Sequence, residues 1–301
     1  MVLLTVFTPL YNRKKTLKRT YNSLVNQTNK DFIWLIIDDG STDNPYQEIE
    51  KWMQKDNGFI IRYIYKENGG MHTAHNTAYE NIDTELNMCI DSDDYMPPNA
   101  VQLISDCWKE NRNKGYSGII ALDFAEATQS VIGKELPKDK DSTTLMGYYN
   151  NGGYGDKKLI YRTDLITSVP PYPVFEGEKY FSLAYKYHLL DEKYELRILN
   201  KSVCIVDYQF DGSSTNMYRQ YLNNPKGFAF WRKEQMRHSV NYKQRFKACV
   251  HYVSSCLLYK NSRCLKDSPY KLSTFLAMPC GVLLSLFIRY KAKKAFMTVK
   301  I

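Results

Sequence analysis

Hydrophobic and polar positions along the first 125 residues alternate between two rhythms. Leu3 to Thr8 is an apolar run that reads as a strand, and Lys14 to Gln27 then places Leu17, Tyr21, Leu24 and Val25 on one helical face. The cycle repeats with a strand over Phe32 to Ile37, a polar helix over Pro45 to Gln54 and a strand over Ile60 to Tyr65. A helix over Met71 to Ile82 then leads to a strand ending at Asp91. Strands apolar on both faces and separated by helices predict a mostly parallel sheet covered on both sides. In such sheets ligands sit beyond the carboxyl ends of the strands. The four exits are Pro9 to Arg13, Asp38 to Asp43, Glu67 to Gly70 and Asp91 to Asp94. Each is polar, acidic or turn-forming, and together they predict one crevice along one edge of the sheet.

After Leu122 the rhythm weakens. Residues 133 to 156 are polar and rich in Gly and Asn, which predicts a loop or an excursion over the crevice. A short strand at Lys158 to Tyr161, a helix over Glu178 to Leu190 and a strand over Arg197 to Val206 complete a second half. Tyr242 to Leu258 reads as an amphipathic helix carrying Phe246, Val250, Val253 and Leu257. Leu272 to Ile288 is then 17 residues without a charge, interrupted by Pro279-Cys280-Gly281 and followed by Arg289, Lys291, Lys293 and Lys294. A spanning helix needs about 20 unbroken apolar residues, so a broken interfacial segment is expected. A packed core helix with a solvated basic end is the competing reading.

Charge sharpens the view of this tail. The chain carries a net +9, yet from Lys226 onward 16 basic residues stand against 2 acidic ones, so the tail holds +14 and the rest −5. Basic flanks on an apolar segment fit an anionic membrane surface. No nucleic-acid-reading motif accompanies them, so no nucleic-acid partner is expected. The seven cysteines are odd in number and include no Cys-Xaa-Xaa-Cys pair, which argues against a disulfide framework or a structural zinc site. The expected location is therefore cytoplasmic, peripheral to the inner face of the cell membrane. Met1 to Thr8 lacks the basic flank and apolar length of a leader and reads as the first core strand.

The densest chemistry lies at Asp91-Ser92-Asp93-Asp94. Three carboxylates in four residues repel one another unless a divalent cation or a cluster of donors sits among them. Strand alternation sends Asp91 and Asp93 to one side and Ser92 and Asp94 to the other. Two oxygens on one side make half of a hard-cation site, with nucleotide phosphates and water supplying the rest. The competing reading is a solvated acidic turn before a helix starting near Pro98.

Taken together the exits resemble the inverting glycosyltransferases of family 2, in a bacterial branch associated with cell-surface polysaccharide. The similarity rests on Thr8-Pro9-Leu10-Tyr11-Asn12-Arg13, on Ile37-Asp38-Asp39-Gly40-Ser41-Thr42-Asp43, and on Asp91-Ser92-Asp93-Asp94. It extends through Gly155-Asp156-Lys157, Tyr161-Arg162-Thr163-Asp164 and Phe175-Glu176-Gly177-Glu178-Lys179, and so covers residues 1 to about 235.

The resemblance implies a GT-A fold: Rossmann-like α/β, a mostly parallel sheet flanked by helices, followed here by a helical basic C-terminal tail. Residues 1–115 would bind the nucleotide-sugar, 116–215 the acceptor, and 216–301 would form the tail. It implies donor binding by Pro9, Tyr11, Asn12, Asp39, Gly70, His72, Asn76 and Asp91. Tyr11 would stack on the base from a turn set by Pro9, and Asp39 would accept a base N–H, which favours uracil. Asp38 alternatively closes its own turn through Ser41 and Thr42. Asp93 would hold Mn²⁺ or Mg²⁺, with Asp91 on metal or ribose and Asp94 behind them.

The sequence departs from the family at two places. Met71 stands where a basic residue is common, leaving His72, or an exposed histidine without a role, to take its place. The acidic pair usual early in the second-half helix is missing from Phe181-Ser182-Leu183-Ala184. Glu178, with Glu176 as the second candidate, is therefore the expected base, and capping of a helix N-terminus is the other reading of Glu178.

The expected activity is transfer of a sugar from a nucleotide-sugar, a UDP-sugar by this reading, to a lipid-linked or polysaccharide acceptor. A catalytically silent sugar-nucleotide-binding protein is the alternative. The absence of a Gln-Xaa-Xaa-Arg-Trp motif favours single addition. No glycine-rich dinucleotide or P-loop spacing follows any strand, which disfavours a dehydrogenase or a kinase.

Overall fold

The structure, a computed structural model, describes residues 2–208 and 217–298, with side chains through Lys293. Residues 209–216, part of the boundary between the acceptor segment and the tail, and 299–301 lie outside the described residues, as does the side chain of Lys294. The chain forms two compact units, Met1–Tyr172 with Leu183–Gln209, and Pro173–Ser182 with Phe210–Ile301. The segment expected over 116–215 is thus divided between them.

The first unit opens with β1 (Leu4–Leu10), α1 (Lys14–Val25), β2 (Phe32–Asp38), α2 (Tyr46–Met53), β3 (Ile60–Tyr65), α3 (Met71–Asn81), β4 (Leu86–Cys89) and α4 (Ala100–Asn111). It continues with β5 (Gly118–Ala125), β6 (Ser130–Val131), β7 (Ser142–Thr143), α5 (Leu145–Asn150), β8 (Lys157–Arg162), α6 (Thr163–Ser168), α7 (Ala184–Asp191) and β9 (Leu196–Val206). Among the described residues nine strands form one sheet in the order β3-β2-β1-β4-β8-β5-β9-β7, with β6 on β5.

β1, β2, β3 and β4 pair in parallel, with Leu4 to Leu10 in register with Phe32 to Asp38. Every residue of β1 and β2 is buried, as two-sided helical cover requires. On one face Tyr21 stacks on Trp52 at 4.3 Å between centroids, and both lie near Trp34. On the other, Phe7 meets His75 and Tyr79 of α3 edge-on.

β8 departs from the parallel rhythm. It runs antiparallel between β4 and β5, with Met88 opposite Ile160 and Leu122 opposite Lys157. β5 and β9 are parallel to each other. The start of β8 therefore opens on the same edge as the ends of β4, β5 and β9.

Two helix expectations need correction. The helix expected over Glu178 to Leu190 begins only at Ala184; residues 173–182 are irregular and belong to the second unit. Pro170, Pro171 and Pro173 keep the approach to this segment out of a helix, and Gly177 at φ +80° turns the chain just before Glu178.

The second unit holds α8 (Met217–Asn223), α9 (Pro225–Arg237), α10 (Tyr242–Leu258), α11 (Cys264–Asp267) and α12 (Lys271–Thr298). α12 continues through Pro279, which sits exposed, so the expected break is absent. Thr274, Ala277, Ser285, Ile288 and Ala292 form its buried face, and Gly281 lets it approach α10 closely. There a methyl group on Gly281 would come within 2.5 Å of the Val253 side chain.

Candidate active site

The first two exits are tied together by short polar side chains. Pro9 is a buried strand residue opposite Ile37, so the turn is set three residues later than expected, by Asn12 at φ +53°. Asn12 accepts from the Thr42 N–H at 2.7 Å and donates its own N–H to Ser41 Oγ at 3.0 Å. Its side-chain oxygen joins the two loops. Tyr11 beside it is 48% exposed and presents a flat ring at the edge. Asp38 closes its own turn, accepting from Ser41 N–H at 2.8 Å and from the Tyr63 hydroxyl at 2.7 Å.

Asp39 is buried, and four donors converge on its carboxylate. Lys66 Nζ (2.6 Å) and Gly69 N–H (3.0 Å) reach Oδ1, while Gly70 N–H (2.8 Å) and Asn68 Nδ2 (3.1 Å) reach Oδ2. A carboxylate offers about four acceptor sites, so Asp39 has no capacity left for a base N–H in this arrangement. It is the anchor of the glycine loop. Gly40, at φ +80°, lies where a Cβ would stand 2.7 Å from the Asn68 nitrogen, so close approach is what fixes glycine there.

Lys66 is the residue that sequence reading missed. Its ammonium also donates to Thr73 Oγ1 at 2.8 Å and supplies a positive charge at the α3 N-terminus, although Met71 is not basic. A lysine immediately after an apolar strand was the available signal.

One α3 assignment changes. His72 is 2% exposed, not a surface histidine; burial pushes its pKa down to about 4, against the attraction of Asp39. His75 is fully buried, and burial pushes it down to about 3. Asn76 clasps the backbone of Tyr172, donating to its carbonyl and accepting from its N–H at 2.9 Å each. One Nδ2–H and one Oδ1 lone pair of that amide are thus engaged in holding the chain.

At the fourth exit the alternation holds. Asp91 and Asp93 are partly exposed, whereas Ser92 and Asp94 are buried. Burial raises the Asp93 pKa, and the nearby Asp91 adds to it. Asp94 is pushed up to about 7 by burial; Asp91 and Asp93 add to this and Lys158 opposes it. Asp94 accepts from the Asp207 N–H at 3.2 Å and faces Cys204 Sγ at 3.8 Å.

Lys158 Nζ lies 3.7 Å from Asp123. Burial alone would lower the Lys158 pKa, but Asp123, Cys204, Asp94 and Asp91 raise it well above its ordinary range. Arg19 of α1 gathers three exits at once, bonding the Asp93 carbonyl at 2.6 Å and Glu126 and Asp207 at 2.7 Å each. Crowded carboxylate oxygens at a strand exit fit a hard divalent cation. Asp91 and Asp93 are the residues that would hold it.

This order of exits, on a sheet of this topology, is matched by a family profile, Glycosyl transferase family 2, over residues 5–168. The chain belongs to glycosyltransferase family 2. Among curated relatives it is 37% identical over 108 residues to a chondroitin synthase of Pasteurella multocida (strain Pm70), covering 36% of this chain and 11% of that protein. A glycosyltransferase of Streptococcus pneumoniae, GlyG, is 31% identical over 103 residues, 34% of each chain. The chain thus aligns with about a tenth of the synthase and a third of GlyG.

Two solved structures show the fold shared by the family 2 chain. S. aureus TarS 1–349 in complex with UDP-GlcNAc has a TM-score of 0.59 at 17% identity, covering 97% of this chain and 92% of that one. Mannosyltransferase PcManGT from Pyrobaculum calidifontis, in complex with GDP-Man and Mn²⁺, has a TM-score of 0.52 at 15% identity, covering 94% and 86%.

Glu178, the expected base, is held by a neighbouring helix end. It is 8% exposed, and its two oxygens accept the Lys226 and Gly227 N–H groups at 2.7 Å each, in the first turn of α9. Burial raises its pKa, and those two bonds oppose the rise. Glu178 caps a different helix from the one expected. Glu176 is exposed.

Proposed function

We propose that this family 2 glycosyltransferase moves a sugar from a UDP-sugar to a lipid-linked or polysaccharide acceptor, with inversion and with the help of Mn²⁺ or Mg²⁺. The observation that carries this is the acidic exit of β4, where Asp91 and Asp93 face outward at the sheet edge shared with exposed Tyr11. A bound cation would offset the diphosphate charge and stabilise the leaving group. Tyr11 would stack on the base, and Asp39 with Lys66 would hold the Gly69-Gly70 loop that shapes its pocket. The neighbour solved with UDP-GlcNAc supports a uridine nucleotide, and the one solved with Mn²⁺ supports the metal.

The same reading places the protein in the cytoplasm at the inner face of the membrane. The outer face of α12 exposes Leu272, Phe275, Leu276, Leu283, Leu286 and Phe287, and no charge falls between Lys271 and Arg289. By length and composition this helix could cross a membrane. Its buried face is engaged within its own unit, so it would lie along the surface with Arg289, Lys291 and Lys293 at anionic headgroups.

Nucleotide-dependent stabilisation tests the donor half. Asp93→Ala is expected to abolish a Mn²⁺-dependent rise in melting temperature with UDP while leaving the metal-free protein folded. An equal rise in the variant would remove Asp93 from the metal site.

A further inference from the structure

An inverting transfer needs a group that takes the acceptor's proton, and Glu178 is engaged elsewhere. We propose that Asp156 is that base and that Tyr208 positions it, an inference that rests on the transferase reading above.

Because β8 is antiparallel to β4 and β5, its first residues lie where those strands end. Asp156 immediately precedes β8 and so stands at the edge that carries Asp91 to Asp94, Glu126 and Asp207. A parallel strand would have put it at the opposite edge.

The acids that follow β4, β5 and β9 have fixed employment. Glu126 and Asp207 are held by Arg19, Asp94 points inward, and Asp91 and Asp93 face the proposed cation. Asp123 is buried one strand away, 3.7 Å from Lys158. Asp156 is exposed, and among the described residues its carboxylate receives one hydrogen bond, from the Tyr208 hydroxyl to Oδ2 at 3.1 Å.

Tyr208 is 56% exposed; its partial burial, and then the charge of Asp156, raise its pKa above the ordinary phenol range, so the hydroxyl keeps its proton. Tyr149 steadies the adjoining backbone by donating to the Gly155 carbonyl at 3.3 Å. Gly155, at φ +83°, packs where a Cβ would stand 2.6 Å from the Gly133 Cα, which fixes the path of the loop. Tyr208 therefore leaves Oδ1 to face an acceptor.

The step balances without a further reactant. Asp156 takes the proton of the acceptor hydroxyl as its oxygen forms a bond to the anomeric carbon. The bond from that carbon to the diphosphate oxygen breaks, and its electron pair leaves with the nucleotide.

The full chain with Mn²⁺ is assayed for nucleotide release from UDP-GlcNAc and from GDP-mannose, with water as acceptor, alongside the UDP or GDP thermal shift. Asp156→Asn is expected to keep the nucleotide shift and lower kcat by about a hundredfold, the scale of general-base loss. Tyr208→Phe is expected to lower kcat by about tenfold with KM unchanged, whereas a merely structural loss would also weaken the nucleotide shift.

Asp156→Asn within about threefold of the wild type overturns the proposal, as does loss of nucleotide binding together with turnover. A hundredfold loss in Glu176→Gln beside an active Asp156→Asn would give the role to Glu176. Nucleotide binding by the wild type without release from either donor also counts against it. A wild type that binds no nucleotide instead overturns the transferase reading itself.

Discussion

His72 and His75 stand three residues apart on α3 and are both buried neutral, so each resists protonation that the unfolded chain accepts. Folded-state values of about 4 and about 3 lie below the ordinary 6.5. The stability they allow is present above pH 6.5 and is lost as pH falls toward those values. Denaturant unfolding at stepped pH should show that decline, and His75→Phe should flatten it; an unchanged slope would contradict burial of the neutral ring. Lys66→Met should leave the buried Asp39 charge with neutral donors only and cost about 2 kcal/mol, read from urea midpoints. At this scale the motifs Asp38-Asp39-Gly40 and Asp91 to Asp94 were legible, because local spacing creates their turns and charge density. Asn76 and Glu178 were not, because their partners lie 96 and 48 residues away and no local pattern marks them.

At the scale of elements, the apolar strands and the span of α10 were readable because continuous apolar runs and helical spacing leave direct traces in sequence, but the buried face of α10 runs through Ala248, Cys249, Tyr252 and Cys256, leaving Leu257 of the expected face exposed. Strand direction leaves none: β8 looks the same parallel or antiparallel, and its orientation decides which residues reach the active edge. Gly118 is the element's weak point. At φ +150°, its Cβ would lie 1.9 Å from the Ile160 carbonyl oxygen, inside the β5–β8 pairing. Gly118→Ala should therefore cost roughly 3 kcal/mol or more, measured by thermal or urea unfolding, since neither backbone can yield cheaply. A change below about 1 kcal/mol would contradict this register. Pro279 was read as a break, yet α12 carries it: a single missing N–H on an exposed face is tolerated when the opposite face is packed along α10.

For the whole molecule, positive charge and apolar surface concentrate together in the second unit, and the family match, over residues 5–168, falls within the first. If α12 lies on a membrane, the chain should co-sediment with vesicles containing anionic lipid and far less with neutral ones, with the bound fraction falling as salt rises. Leu283→Glu combined with Phe287→Glu should abolish binding while leaving nucleotide binding intact. Binding undiminished in that variant would place the contact elsewhere. The central claim, metal-assisted use of a nucleotide-sugar, is tested most directly by thermal-shift titration with UDP, GDP, CDP and dTDP, each with Mn²⁺ and with chelator. The account predicts a UDP-selective rise that requires Mn²⁺ and disappears in Asp93→Ala. No rise with any nucleotide, or one indifferent to chelator and to Asp93, would contradict it.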